Sequence, residues 1–229
     1  EHCQSWETKR SKIRRYLLRD GRRISFKNLG DRNRRRALLP FLNAANYIPG
    51  IIVTILIDKK IQSLFRVGCK FRTDEPGLEE YSHWKGPVFE RLLRAVHFIS
   101  FFLAGLSGSL QNVLWITDED DIAANEMRLR ELVRIFANIS GHYLKHDLGH
   151  LRIGTTKSDT GKCDIEDLVS VSDLVAGALS QVLTEYRKTG CMPSERLMIQ
   201  PPENIPRKTK EIMDWFADHT QPLKRLVYI

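Results

Sequence analysis

The run Ile51-Ile52-Val53-Thr54-Ile55-Leu56-Ile57 constrains this chain more than any other feature, because it is β-branched and apolar on both faces. A strand wetted on one side alternates apolar with polar residues, so an unbroken run predicts a central strand covered on both faces, as in parallel sheets flanked by helices. Val113-Leu114-Trp115-Ile116-Thr117 predicts a second buried strand, and Leu151 to Thr156 offers a third.

Helical patterns separate these runs. Asp31 can cap a helix reaching Tyr47 and kinked at Pro40, and Pro87 suits the first turn of a helix running to Leu106. Ile122, Leu129, Val133, Phe136, Ile139 and Tyr143 recur at intervals of three, four and seven, and Leu168, Val171, Val175, Leu179, Val182 and Tyr186 stripe a helix over residues 164–187. Arg22 to Lys27 is a short strand candidate, residues 66–86 are polar loop, and the tail offers a helix from Lys208 to His219 and a strand from Leu226 to Ile229. Strands alternating with helices of ten residues or more predict an α/β fold, a largely parallel or mixed sheet with helices on both faces. The expected organisation is a basic N-terminal helix (1–21), an α/β domain (22–190) and a C-terminal extension packing on that domain (191–229).

At 229 residues, 42% apolar and 28% charged, the chain can bury one sizeable core. Cys3, Cys69, Cys163 and Cys191 are scattered without metal-ligand or disulfide spacing, which predicts a reducing, cytoplasmic setting. Val96 to Leu106 is the most apolar stretch and falls short of the roughly 20 residues that span a bilayer, so it reads as a buried helix, with no membrane partner expected. Residue 1 is Glu rather than Met, which raises the expectation of chain upstream of it.

The net charge of +8 is concentrated: residues 1–36 hold 13 Lys or Arg against 4 acids, whereas the remainder holds 23 against 24. So basic a block repels itself unless an anion lies nearby, a nucleic-acid backbone, a membrane surface or an acidic partner protein, of which nucleic acid is the partner expected; a solvated basic helix is the plainer alternative. Residues 5–19 form an amphipathic pattern carrying Arg10, Lys12, Arg14 and Arg15; Arg22, Arg23, Arg34 and Arg35 complete the candidate phosphate contacts. Homo-oligomerisation or assembly with another protein is left open.

Three constellations could carry chemistry. Asp118-Glu119-Asp120-Asp121 follows a predicted strand, where α/β sheets gather reactive groups and where carboxylates can hold Mg²⁺ or Mn²⁺; the alternative is that Asp120 or Asp121 merely caps the next helix. Asp173 lies opposite the apolar stripe of its helix, beside Ser170, Gly177 and Ser180, small residues that admit a strand end or a phosphate backbone; an exposed helix acid is the alternative. His142, His146 and His150 stand four apart, the weakest candidate, for zinc. No Gly-x-Ser-x-Gly, phosphate-binding Gly-rich loop or Gly-x-Gly-x-x-Gly is present.

In order, Ser25-Phe26-Lys27, the helix of residues 31–47, the strand ending Ile57-Asp58-Lys59-Lys60, the strand ending Thr117-Asp118, and Asp173-Leu174-Val175-Ala176-Gly177-Ala178 resemble the bacterial family named domain of unknown function 3800. The resemblance spans residues 22–187 and implies a ribonuclease H-like fold. It also implies metal-dependent phosphodiester hydrolysis, in a bacterial defence or mobile-element setting, with Asp118, Glu119 and Asp173 as metal ligands and Lys27 near the phosphate. Such sites use two divalent ions about 4 Å apart. The family's Asp-Glu motif on its first strand has no counterpart before residue 22. Ser170 and Ser25 stand where the family commonly has Gln and Glu. The acids are therefore an incomplete set, and a non-catalytic nucleic-acid-binding or scaffold subunit with a degenerate fold is the alternative.

Overall fold

The structure is a computed structural model that describes residues 2–55, 79–118, 122–156, 161–190, 202–218 and 220–228. In chain order its main elements are α1 (His2–Tyr16), α2 (Arg32–Ala45), β1 (Ile51–Ile55), α3 (Gly86–Leu106), β2 (Val113–Thr117), α4 (Glu126–Tyr143), β3 (Leu151–Thr155), α5 (Asp164–Thr189), α6 (Arg207–Ala217) and β4 (Lys224–Tyr228). The protein is thus mixed α/β. It divides into two compact units, Glu1–Ile57 with Thr160–Ile229, and Asp58–Asp159.

In the first unit α1 packs on α2 and α5 on α6, and β1 pairs in parallel with β4 from Ile51 opposite Lys224 to Ile55 opposite Tyr228. Asp31 caps α2 as expected, accepting from the backbone N–H groups of Asn33 (2.9 Å) and Arg34 (3.0 Å). The helix then buries Ala37, Leu38, Phe41, Leu42, Ala44 and Ala45, while Pro40 sits on its exposed side. Trp6 of α1 meets Phe41 edge to face, ring centroids 5.8 Å apart, and α5 adds Val171, Leu174, Val175, Ala178, Leu179 and Val182 to the same core. By length and composition α5 could cross a membrane, but this stripe is buried inside the unit. Leu168, expected on the stripe, is exposed.

In the second unit β2 and β3 pair in parallel from Val113 opposite Leu151 to Thr117 opposite Thr155, so α4 is the crossover between them. α3 packs on α4 over Phe89, Leu92, Val96, Leu132, Ile135 and Phe136, with Tyr81 stacked on Phe89 at 5.2 Å. Burial lifts the Tyr81 phenol to about 12, with help from the neighbouring Glu80.

Several expectations are corrected. Arg22 to Lys27 is not a strand: it runs as irregular chain into a single helical turn, Phe26–Asn28, for a reason given below. Two-face burial fails for β1, where only Ile52 is buried and Ile51 is 41% exposed, and for β2, where Leu114 is exposed. Among the described residues each of these strands has one partner. α4 starts at Glu126, later than expected, and its cap is Asn125, which accepts from the Arg128 N–H at 3.0 Å, rather than Asp120 or Asp121, which lie outside the described residues. Its buried face is offset by one residue, through Leu132 and Ile135, leaving Val133 exposed. The apolar end of α3 is also only partly buried, with Phe101 59% and Leu106 63% exposed.

Candidate nucleic-acid interface and acidic positions

The side of α1 that carries Trp6 and Ile13 also carries Arg10, so helical periodicity pulls a guanidinium into the core, where it is 2% exposed. A buried charge must be neutralised. Arg10 binds Glu7 (2.6 Å), Asp167 (3.1 Å), Asp164 and the Lys162 carbonyl (2.9 Å). Arg14, one turn on, clasps Asp167 through Nε (3.0 Å) and Nη2 (2.5 Å) and donates through Nη1 to the Arg22 carbonyl (2.9 Å). Asp167 is fully buried and accepts from both guanidiniums. Burial by itself would depress the Arg10 guanidinium, but the bonds to Glu7 and Asp167 outweigh it and hold the group above its ordinary value; Arg14 is held up in the same way against burial, chiefly by Asp167.

Arg34 repeats the arrangement locally. It is 4% exposed and reaches Asp20 (2.7 Å), Asp31 (3.1 Å) and the Arg23 carbonyl (3.3 Å), which ties the irregular segment to α2. Arg35 pairs with Glu211 of α6 at 2.8 Å. Of the predicted contact residues, then, Arg10, Arg14, Arg34 and Arg35 are engaged in internal ion pairs and Arg23 is half-buried. Lys12, Arg15 and Arg22 are exposed, as is Lys27, the expected phosphate neighbour, and so are Lys9, Arg19, Arg32 and Arg36, which sequence reasoning did not single out as phosphate contacts.

Asp173, on α5, is half-buried and accepts the Phe26 N–H at 2.8 Å, so it caps the single turn Phe26–Asn28. The close approach expected beside Asp173 is thus made by a turn. Gly177, one helical turn away, lies under Phe26: a Cβ on it would stand 2.3 Å from Phe26 Cγ. Lys208 covers the ring from α6 with its ammonium 4.5 Å from the centroid. Lys27, next in sequence, is exposed. The N–H bond to Asp173 and the seat on Gly177 hold Phe26–Asn28 as a turn.

Asp118 follows directly on β2, at the C-terminal end of a parallel strand, and is half-buried. It belongs to the second unit and Asp173 to the first. Glu119 lies outside the described residues. Among the described residues no three His, Cys, Asp or Glu side chains converge as a metal-holding group. His146 hydrogen-bonds Ser107 (Nε2 to Oγ, 3.1 Å), while His142 and His150 are exposed; the trio forms no such group either.

No protein-family model, no curated protein and no solved structure matches this chain.

Proposed function

We propose that this chain binds nucleic acid through its phosphate backbone, using the exposed cations of its N-terminal layer, in the manner of a ribonuclease H-like protein. One observation carries the reading: once the internal ion pairs of Arg10, Arg14, Arg34 and Arg35 are set aside, Lys12, Arg15 and Arg22 remain exposed in a segment of the first unit. Exposed Lys and Arg bind phosphates by releasing condensed counterions, so affinity falls as salt rises. The expected result is oligonucleotide binding whose logarithmic salt slope shrinks by about one for each of Lys12→Gln, Arg15→Gln and Arg22→Gln. Salt-independent binding, or slopes unmoved by all three changes, refutes it.

The second reading, Mg²⁺- or Mn²⁺-dependent phosphodiester hydrolysis, has the position of Asp118 in its favour, since the C-terminal end of a parallel strand is where such folds carry reactive groups. The likeness to the family of domain of unknown function 3800 points the same way. Chelator-sensitive cleavage abolished by Asp118→Ala is its expected signature, and cleavage indifferent to that change removes it.

A further inference from the structure

Between α1 and the C-terminal half of α2 the first unit has an open groove of about 410 Å³. Lys9 and Lys12 form one wall, Pro40 and Asn43 the other; Tyr47 lies within it, and Gln221 closes an end, its Nε2 held by Asp218 at 3.1 Å. Among the described residues lining it there is no Asp or Glu. The Lys9 ammonium stands 4.8 Å from the centroid of the Tyr47 ring, a cation–π contact that directs it into the groove. Lys12, three residues on, lines the same groove, so two cations face it with no acid among the described residues that line it. Two cations lining one groove favour an anion between them. Asn43 adds an exposed amide.

We propose that this groove seats a terminal phosphomonoester of a nucleic-acid strand. Two ammonium groups lining one groove match the charge of −1.5 to −2 that a monoester carries near neutrality better than the single charge of an internal phosphodiester. The mixed lining, with Ile13, Pro40 and Ala44 beside the lysines, suits a phosphate attached to a sugar, and the volume is that of a small-ligand site. The proposal rests on the nucleic-acid reading above and adds an end preference to it. A free nucleoside monophosphate presents the same chemistry and is the other source the test separates.

The test compares the full chain with Lys9→Gln/Lys12→Gln, and with Lys210→Gln on α6 as a control outside the groove, by fluorescence anisotropy. The probes are otherwise identical oligonucleotides ending in phosphate or hydroxyl, with a nucleoside monophosphate titrated separately. Circular dichroism checks that the variants fold, which the exposure of all three side chains leads one to expect. The expected result is a preference of about tenfold for the phosphorylated end, lost in the double variant and kept in the control. Equal affinity for both ends overturns the inference and leaves the nucleic-acid reading standing. Monophosphate binding that depends on both lysines, without binding of any strand, overturns the strand end and the nucleic-acid reading together and assigns the groove a free ligand. Binding of none of the probes removes both.

Discussion

Replacing Asp167 by Asn tests the central claim about the basic segment, that part of its charge serves the interior. Asn keeps the shape and size of the side chain but removes the negative charge that faces Arg10 at 3.1 Å and Arg14 at 3.0 and 2.5 Å in a fully buried position. Taking one partner out of a buried ion pair typically costs 3–5 kcal/mol, because the other charge is left uncompensated away from water. Arg10 keeps Glu7 and Asp164, whereas the remaining acid for Arg14 is Glu166 at 3.9 Å, so the cost falls mainly on Arg14 and should sit near the lower end, about 3 kcal/mol. With a urea dependence of about 2 kcal/mol per molar, the midpoint followed by circular dichroism should drop by about 1.5 M. A double variant, Arg14→Met with Asp167→Leu, removes both members and should recover much of that loss. A drop equivalent to less than about 1 kcal/mol in Asp167→Asn refutes the reasoning. So would an unchanged midpoint with a large rise in oligonucleotide affinity, since Arg10 and Arg14 would then be contacts that Asp167 merely holds back.

Gly177→Ala should destabilise the first unit by about 1–3 kcal/mol, because the new Cβ would overlap the root of the Phe26 ring rather than its flexible end; adding Phe26→Ala should make the alanine at 177 nearly neutral, and a stable Gly177→Ala single variant contradicts the close approach. The pH dependence has a defined sign. The Arg10 guanidinium holds Glu7 below its ordinary 4.5, and Arg34 holds Asp20 and Asp31 below their ordinary 3.8, through its side chain for Asp20 and chiefly its backbone N–H for Asp31. Carboxylates with lowered values in the folded state contribute stability that is complete above the unfolded-state values and is lost as pH falls through the lower folded ones. Urea midpoints should therefore be flat from neutrality to about pH 5 and decline below about pH 4.5, less steeply in Arg34→Met; midpoints that rise on acidification would reverse the assignment.

Much of the secondary structure was legible because it depends on short-range periodicity. The apolar intervals marked α4 and α5, Pro87 marked the start of α3, Asp31 marked the cap of α2, and Val113–Thr117 emerged with its boundaries unchanged. The candidate site was legible only as residue types. Local sequence identifies Arg10 and Arg14 as cations, but their partners Asp164 and Asp167 lie on α5, more than 150 residues away. Whether an arginine faces a phosphate or a buried carboxylate depends on that distant helix.

The same division explains the segment from Arg22 to Lys27. Its composition allowed a strand, and an extended segment needs a neighbouring strand to take its N–H groups. In the fold the Phe26 N–H goes to Asp173 and the Phe26 ring to the gap left by Gly177, so the chain turns into a single helical turn. By itself the sequence determined where the long helices and the strands at Val113 and Leu151 form and where positive charge accumulates, since spacing and composition are properties of neighbouring residues. Only the tertiary structure decided which of those charges meet solvent and which meet an acid, because burial is a property of what packs against them.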